Sequence, residues 1–233
     1  SVHNRALPRT VELEVQRERR GAFLDVAQRL IVSKGYEQMS IQNVLDDLQA
    51  SRGALYYYFD SKQALLDGVV ERFADDAMAT IAPILADPTL PALTKLERAL
   101  SGIARFKAEQ KELVVAILEV WNSDGNALVR DRVRRLTAKR MLPILTLVIR
   151  QGVEEGLIGS IDPEETARSI LYLMQGYQEL ASEQFLGRQA GTLSFEEVLK
   201  SNRAATEAFE RVLGIPPRSV TLADEATLRF WFG

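Results

Sequence analysis

The chain is predicted to fold as an all-α protein, and two features of its sequence favour that class. Apolar side chains recur at helical spacing through most of the 233 residues, and no segment alternates apolar and polar residues as a half-buried strand would. The eight prolines and fourteen glycines fall mostly between the periodic segments. With 46% hydrophobic residues, the chain has enough apolar side chains for a packed core.

The first periodic segment predicts a helix of about twenty residues with one face on the core. Its apolar stripe consists of Phe23, Val26, Ala27, Leu30 and Ile31. Gly35 is placed to end this helix in a left-handed conformation. The residues from Ser1 to about Thr10, which include Arg5 and Arg9, are expected to form a flexible arm before it.

Two short helices follow. Ser40 is a predicted N-cap, and the apolar residues after it are Ile41, Val44, Leu45 and Leu48. Ser51 offers a second N-cap a few residues later. A long helix and two short helices joined by a tight turn have the layout of a helix-turn-helix, although short helical hairpins also occur in other folds.

The second short helix separates its side chains into two faces. Leu55 and Phe59 share a face that can pack on the core, whereas Arg52, Gly53 and Tyr56 lie on the outer face. Because glycine lowers helix stability, Gly53 indicates either a close approach by a base edge or phosphate, or merely a tolerant first turn.

The next helix is predicted to begin after Asp60, which would form a capping box with Gln63. This places Lys62 in a first helical turn, where the helix dipole disfavours a cation unless an anion lies nearby. A DNA phosphate would supply that anion. The alternative is a solvated lysine that tolerates a small penalty.

From about Glu14 to Val70, roughly a quarter of the chain, the sequence resembles the N-terminal DNA-binding domain of the tetracycline-repressor (TetR) family. The matching positions are Ser40, Val44, Ser51, Arg52, Gly53, Leu55, Tyr56, Tyr57, Phe59, Lys62 and Leu65. The resemblance implies an N-terminal three-helix helix-turn-helix domain followed by a C-terminal helical bundle for ligand binding and dimerisation. It also implies double-stranded operator DNA as a partner.

The resemblance further implies a role for each matching side chain. The implied phosphate contacts are Ser40, Tyr58 and Lys62, and the implied major-groove contacts are Arg52, Gly53 and Tyr56. Tyr57 is expected to sit partly packed, and Ser51 and Tyr57 complete the predicted DNA-binding set.

Two positions depart from the family pattern. Tyr58 replaces the usual histidine, and Gln49 replaces the usual turn glycine. If the turn keeps a positive φ at Gln49, the backbone there stores strain of order 1 kcal/mol.

The N-terminal region carries no net charge. Residues 1–72 contain ten Lys and Arg residues and ten Asp and Glu residues, so the formal charge is zero. A DNA-binding module with this composition must concentrate its cations on one face.

The rest of the chain predicts a helical bundle. We place domain boundaries at 1–72 for the arm and helix-turn-helix, 73–214 for the bundle and 215–233 for a C-terminal tail. The helix after Lys62 is expected to continue to about Pro83. The bundle helices are predicted at residues 91–109, 111–123, 126–155, 163–186 and 193–213.

The resemblance implies that this half binds an effector and forms the dimer. Large side chains that could line a pocket for a small, hydrophobic effector are Phe106, Trp121, Tyr172, Met174 and Tyr177, although each also fits an ordinary core. The last two helices have broad apolar faces, which predict a homodimer through a four-helix interface.

Two further segments have unusual compositions. Basic residues crowd the segment 130–140, and they indicate either a solvated helix or a contact with an anionic effector. The tail ends with Phe230, Trp231 and Phe232, and we expect this aromatic cluster to dock on the body of its own or a partner subunit.

Composition narrows the functional classes. The chain has no cysteine, which excludes disulfides and thiolate metal sites, and its only histidine is His3. The longest apolar runs are too short to span a bilayer. We therefore expect a cytoplasmic protein with no metal, cofactor or membrane partner, and no enzymatic activity.

The sequence predicts a ligand-responsive transcriptional repressor that binds a palindromic operator as a dimer and is released by a small-molecule effector. An all-α enzyme and a helical protein-binding adaptor remain the alternatives.

Overall fold

The computed structural model describes residues 9–159 and 162–233, and these residues are almost entirely helical. The helices are α1 (Arg9–Lys34), α2 (Ile41–Leu48), α3 (Arg52–Tyr56), α4 (Lys62–Ala86), α5 (Ala92–Glu109), α6 (Lys111–Trp121), α7 (Ala127–Glu154), α8 (Pro163–Gln189), α9 (Phe195–Leu213) and α10 (Glu225–Phe232). A 3₁₀ turn, Asp124–Asn126, precedes α7. The all-α prediction is confirmed. His3, Arg5 and most of the predicted arm lie outside the described residues.

The chain divides into two compact units. Unit 1 contains the described residues up to Phe73 together with Lys111–Val129, and unit 2 contains Ala74–Gln110 and Arg130–Gly233. Helix α6, which the sequence analysis assigned to the bundle, packs against α1 in unit 1. The segment predicted as a separate tail is part of unit 2.

Unit 1 has a core formed by the predicted apolar faces. The whole predicted stripe of α1 is buried, and so are Val44, Leu45, Leu55 and Phe59. Gly35 has a φ of 83°, and its N–H donates to the Ile31 carbonyl at 3.0 Å, so the predicted left-handed end of α1 is confirmed.

Helices α1 and α4 approach each other closely at a glycine. A Cβ on Gly68 would lie 2.7 Å from Leu24 Cδ2 and 3.1 Å from Phe59 Cε1. Real Cβ atoms essentially never come this close, so a larger residue at this position would force the Leu24 side chain to shift.

The predicted cap of α4 is wrong by one residue. The Ser61 hydroxyl, rather than the Asp60 carboxylate, accepts the hydrogen bond from the Ala64 N–H, at 3.0 Å. Since α4 starts at Lys62, Ser61 is the residue placed to reach the free amides of the first turn. Gln63 forms side-chain contacts instead of the predicted capping box. The helix also continues past Pro83 to Ala86.

Unit 2 is a bundle around an apolar core. Helices α4, α5, α7, α8 and α9 contribute to it, with Ile81, Leu96, Ile149, Ile170 and Phe209 as one buried example from each. The five predicted helical segments after residue 91 are confirmed as α5 to α9, with boundaries that differ by at most three residues.

The C-terminal segment packs on α8 and α9 of its own chain. Phe185 of α8 makes edge contacts with Trp231 and Phe232, and Arg188 Nε donates to the Phe232 carbonyl at 2.7 Å. Of the aromatic cluster expected to dock on its own or a partner subunit, Trp231 and Phe232 thus pack on their own chain, whereas Phe230 is 46% exposed. The helix α10 was not predicted, although Asp224 caps it by accepting from the Thr227 N–H at 2.7 Å.

Within the described part of the chain, no helix combines the length and the apolarity needed to cross a membrane.

Candidate nucleic-acid interface

Helices α2 and α3 begin at the predicted serine caps. The Ser40 hydroxyl accepts from the Asn43 N–H at 3.1 Å, and Asn43 Oδ1 accepts from the Ser40 N–H at 3.1 Å, which completes a capping box. The Ser51 hydroxyl accepts from the Ala54 N–H at 3.2 Å. These bonds fix the start of each short helix, and Ser40 and Ser51 both remain exposed.

The turn between the two helices has the left-handed residue expected from the family pattern. Gln49 adopts φ 51° and ψ 40°, and the next amide, that of Ala50, donates to the Leu45 carbonyl at 3.0 Å. A side chain at this position costs about 1 kcal/mol relative to a relaxed backbone. The turn sets the direction in which α3 leaves α2.

Helix α3 buries one side and exposes the other. Leu55 is the buried residue of this five-residue helix, whereas Arg52, Gly53 and Tyr56 are exposed. Arg52 donates to Gln42 Oε1 of α2 at 3.3 Å, so the outer faces of the two helices are joined. A Cβ on Gly53 would meet nothing within 4 Å. Internal packing therefore does not require glycine at this position.

The three consecutive tyrosines differ from their predicted placement. Tyr57 is 70% exposed, which contradicts the expectation that it sits partly packed. Tyr58 is half-buried, with its ring 6.1 Å from that of Phe23 and 4.8 Å from that of Tyr57. Because α3 ends at Tyr56, the chain turns after it, and the turn directs Tyr58 rather than Tyr57 back toward α1.

Lys62, at the start of α4, is held by the loop after α1. Its ammonium donates to the Glu37 carbonyl at 3.1 Å and lies 4.5 Å from the centre of the Tyr36 ring. Burial raises the pKa of the Tyr36 hydroxyl, and the charges of Glu37 and Asp67 raise it further. Tyr36 therefore stays neutral at physiological pH. The sequence reasoning did not identify this residue, because no local pattern distinguishes it from a core tyrosine.

Ion pairs neutralise some of the charged side chains of residues 9–72 and leave others without an opposite charge in contact. Arg29 pairs with Asp47, and Arg72 pairs with Asp25. Neither Arg52 nor Lys62 forms an ion pair with any described residue. Arg52 on α3 and Lys62 at the start of α4 are therefore cations without a direct ion-pair partner among the described residues, and they remain available to phosphate groups.

The predicted effector-site residues are not gathered in one place. Tyr172, Met174 and Tyr177 line an open, largely apolar groove of 390 Å³ between α8 and α9. Phe106 lies on α5 outside that groove, and Trp121 belongs to α6 in unit 1. Tyr177 donates to Asn202 Oδ1 at 2.7 Å, and burial raises the pKa of its hydroxyl.

The basic segment of α7 is on the surface. Arg134 bonds Glu179 at 2.5 Å, Arg135 bonds Asp131 at 2.8 Å, and Arg140 pairs with Asp75. All three arginines are exposed, which favours the solvated-helix interpretation.

Lys107 on α5 has a different environment. It is half-buried, and burial lowers the pKa of its ammonium. No described residue forms an ion pair with it.

Metal chemistry receives no support from residues 9–159 and 162–233. They contain no group of three or more His, Asp or Glu side chains that could hold a metal ion.

The geometry of unit 1 defines a class of protein. Two short, serine-capped helices joined by a tight turn rest on a longer helix. Arg52, Gly53 and Tyr56 are exposed on the second short helix, and Lys62 begins the helix that follows. This is the geometry of a helix-turn-helix domain.

Comparison with known proteins identifies the family. Residues 23–69 match the family model described as "Bacterial regulatory proteins, tetR family". The N-terminal region of the chain therefore carries the DNA-binding domain of this family. The match covers the site described above, from the core face of α1 to the middle of α4.

Similar curated proteins are also regulators. The chain is 29% identical over 123 residues to the HTH-type transcriptional repressor KstR2 of Rhodococcus jostii, a match that covers 48% of this chain and 60% of that relative. It is 23% identical over 149 residues to the repressor DhaR of a Mycobacterium species, covering 64% of this chain and 74% of DhaR. The chain thus spans less than two thirds of the length of KstR2.

Solved structures share the fold. A TetR transcription regulator from Haloarcula marismortui has a TM-score of 0.61 with 21% identity, covering 85% of this chain and 97% of that one. A complex of SmeT with triclosan has a TM-score of 0.57 with 18% identity, covering 89% of this chain and 98% of that one.

Proposed function

We propose that this protein is a ligand-responsive transcriptional repressor that binds a palindromic operator as a homodimer and leaves it when a small molecule binds. The observation that carries the proposal is the exposed face of α3, where Arg52, Gly53 and Tyr56 lie beside Lys62 with no internal packing role for the glycine. The similarity to KstR2 and DhaR, both repressors, supports repression over activation.

In the proposed complex, α3 enters the major groove. Arg52 and Tyr56 read base edges, and Gly53 lets the backbone approach the DNA closely. The phosphate contacts come from the exposed Ser40, the N-cap of α2, and from Lys62 at the start of α4. Tyr58 reaches a phosphate through its hydroxyl while its ring stays against Phe23. The exposed Tyr57 is available to the same backbone.

The proposed homodimer forms through the groove between α8 and α9. The exposed apolar residues Tyr172, Leu180 and Val212 belong to these two helices, at 67%, 37% and 37% exposure. Gly176 and Ala204 line the groove between them, and such small residues allow helices of a second subunit to approach closely. A homodimer would read two half-sites, which for successive turns of the major groove lie about 34 to 36 Å apart.

The effector is proposed to be small and hydrophobic, with its site in unit 2. Three of the five predicted effector residues, Tyr172, Met174 and Tyr177, line the groove that a partner subunit would cover. Of the five, Phe106 is the one in unit 2 that is left to line a pocket inside the bundle. The fold neighbour SmeT was solved with triclosan, which supports a small ligand in this fold. Binding would favour a separation of the α3 helices that no longer fits the operator.

The relatives named above are transcriptional regulators, which supports a role other than catalysis. We place the protein in the cytoplasm, where an operator-binding protein meets its DNA. A random pool of DNA duplexes, selected for binding to the full chain, tests the proposal directly. We expect enrichment of a palindromic sequence and a particle in light scattering with twice the mass of one chain. An enzyme or a protein-binding adaptor would enrich no sequence.

Two variants test the docking on the selected operator. Tyr56→Ala is expected to weaken binding and alter the preferred sequence, because this side chain reads bases. Lys62→Ala is expected to weaken binding to all sequences and to lower the slope of log affinity against log salt by about one, because it removes a phosphate contact. Unchanged affinity in either variant would contradict the docking.

A further inference from the structure

Lys62, the proposed phosphate contact, is fixed in place by neighbouring side chains. We propose that Tyr36 is a positioning residue for operator binding, and that Gln63 and Asn126 hold Tyr36 in the orientation that it needs. The proposal rests on the proposed DNA-binding function, and it adds residues that lie outside the helix-turn-helix pattern. All four side chains belong to unit 1.

Tyr36 restricts the motion of Lys62. The Lys62 ammonium lies 4.5 Å from the centre of the Tyr36 ring, and one of its N–H groups donates to the Glu37 carbonyl at 3.1 Å. An ammonium has three donors, so others remain free for a phosphate oxygen. A long side chain that is already ordered loses less conformational entropy when DNA binds. The ring face also attracts the cation directly.

Gln63 fixes the tyrosine. The Tyr36 hydroxyl donates to Gln63 Oε1 at 3.2 Å, while Gln63 Nε2 donates to Asp67 Oδ1 at 3.0 Å and to Asn126 Oδ1 at 2.7 Å. Both N–H groups of the amide and its oxygen are therefore used. This set of partners determines the orientation of the amide, because a flipped amide would direct its NH₂ group toward the tyrosine hydroxyl and its oxygen toward two acceptors.

Asn126 anchors the other end of the network. It is 4% exposed, and its Nδ2 donates to the Val120 carbonyl and to the Ser123 hydroxyl, both at 2.9 Å. Both of its N–H groups and its oxygen are satisfied, so it cannot turn away from Gln63 without leaving buried polar atoms unpaired.

The hydrogen bonds of Tyr36, Gln63 and Asn126 link Lys62, the proposed phosphate contact, to the turn between α6 and α7. Asn126 ends the 3₁₀ turn after α6, and α7 begins at the next residue and continues into unit 2. A displacement of this turn would move Asn126, then Gln63 and Tyr36, and so alter the position of Lys62. The network thereby makes the phosphate contact sensitive to the α6–α7 turn.

A double-mutant cycle on the full chain tests whether Tyr36 acts through Lys62. Affinities for the selected operator are measured by fluorescence anisotropy at several salt concentrations, for Tyr36→Leu, Lys62→Ala and the double variant. We expect Tyr36→Leu to weaken binding by about two- to tenfold in the wild-type background, the range that ordering one long side chain can supply. In the Lys62→Ala background the same change should have no effect. Equal losses in the two backgrounds would overturn the proposal.

A second cycle tests the network without removing the ring. Tyr36→Phe keeps the ring beside the ammonium and removes the hydroxyl, whereas Gln63→Met removes the amide at similar volume. Each is expected to weaken operator binding by less than Tyr36→Leu, and Gln63→Met should add nothing in the Tyr36→Phe background. Additive losses would exclude Gln63 as the residue that holds Tyr36. These milder variants also keep the test valid if Tyr36→Leu does not fold.

Lys34→Ala serves as the matched control, because Lys34 is an exposed cation at the end of α1. It should leave both the affinity and the salt slope near those of the wild type. If the wild-type chain binds no duplex, the proposed function itself fails. If wild-type binding and the Lys62→Ala salt slope are as expected but the first cycle is additive, only the positioning role fails.

Discussion

Gly53→Ala should stabilise the protein and weaken its binding to DNA. The added methyl group meets no protein atom within 4 Å, so it creates no clash in the free protein. Replacing glycine by alanine in a helix contributes about 0.5–1 kcal/mol, which corresponds to a rise of roughly 1–4 °C in Tm for a chain of this size. Alanine at position 53 would therefore make the free protein more stable than the glycine that is present.

The added methyl group is expected to reduce the free energy of operator binding, an effect that is seen only in the protein–DNA complex. If α3 lies against the major groove at Gly53, the methyl group occupies space that the DNA would fill, and overpacking of this kind costs about 1–3 kcal/mol. We expect operator affinity to fall by roughly 5- to 150-fold while Tm rises. Differential scanning calorimetry and fluorescence anisotropy measure the two effects on the same sample.

Gly21→Ala is the matched control for this prediction. Gly21 lies in α1, and a Cβ there also meets nothing within 4 Å. This variant should gain a similar stability and keep the wild-type operator affinity. If Gly53→Ala binds the operator as tightly as the wild type, α3 does not approach DNA at that position and the glycine only reflects a tolerant first turn.

Three further predictions concern stability. Gln49→Gly should raise the free energy of unfolding, measured by urea titration, by about 0.5–1 kcal/mol, because glycine adopts the left-handed φ of 51° without strain. A loss of stability would show that the turn is unstrained. Gly68→Ala should lower it by about 1–3 kcal/mol, because its Cβ would lie 2.7 Å from Leu24 Cδ2; an unchanged urea midpoint would mean that α1 and α4 separate without cost. Lys107→Met should raise Tm at pH 7, since the folded protein binds the Lys107 proton more weakly than the unfolded chain, whose pKa is near 10.5. That penalty is full below the lowered pKa and disappears as the pH rises toward 10.5, so the gain in Tm should shrink with pH; a gain that is constant with pH would refute burial as its cause.

Local features of unit 1 were predictable from sequence because their causes are local. The caps at Ser40 and Ser51 and the left-handed Gly35 depend on a few neighbouring residues and on backbone sterics, whereas the left-handed Gln49 was suggested only by the turn glycine of the family pattern. The error at Asp60 has the same origin, since aspartate and serine both cap helices and only the helix start selects Ser61.

Features that depend on distant contacts were not predictable. Helix α6 has an ordinary amphipathic pattern, and only its packing against α1 places it in unit 1. Trp121 and Phe106 appeared together with the α8 residues in the effector set, because aromatic residues at helical spacing do not specify which helix they face. Likewise, Tyr36 meets Gln63 across 27 residues, and no sequence pattern signals that contact.

The C-terminal segment contributes to the choice of partner in the proposed dimer. Asn202 accepts from Tyr177 and donates to the Ala223 carbonyl at 3.0 Å, which fastens the segment beside α8 and α9. Leu222, the neighbouring residue, lines the groove between those helices. A second chain that enters the groove must therefore fit a wall built by residues after α9 as well as the helices themselves. A related regulator with a different C-terminal segment would meet the wrong shape there, so this wall favours pairing between identical chains.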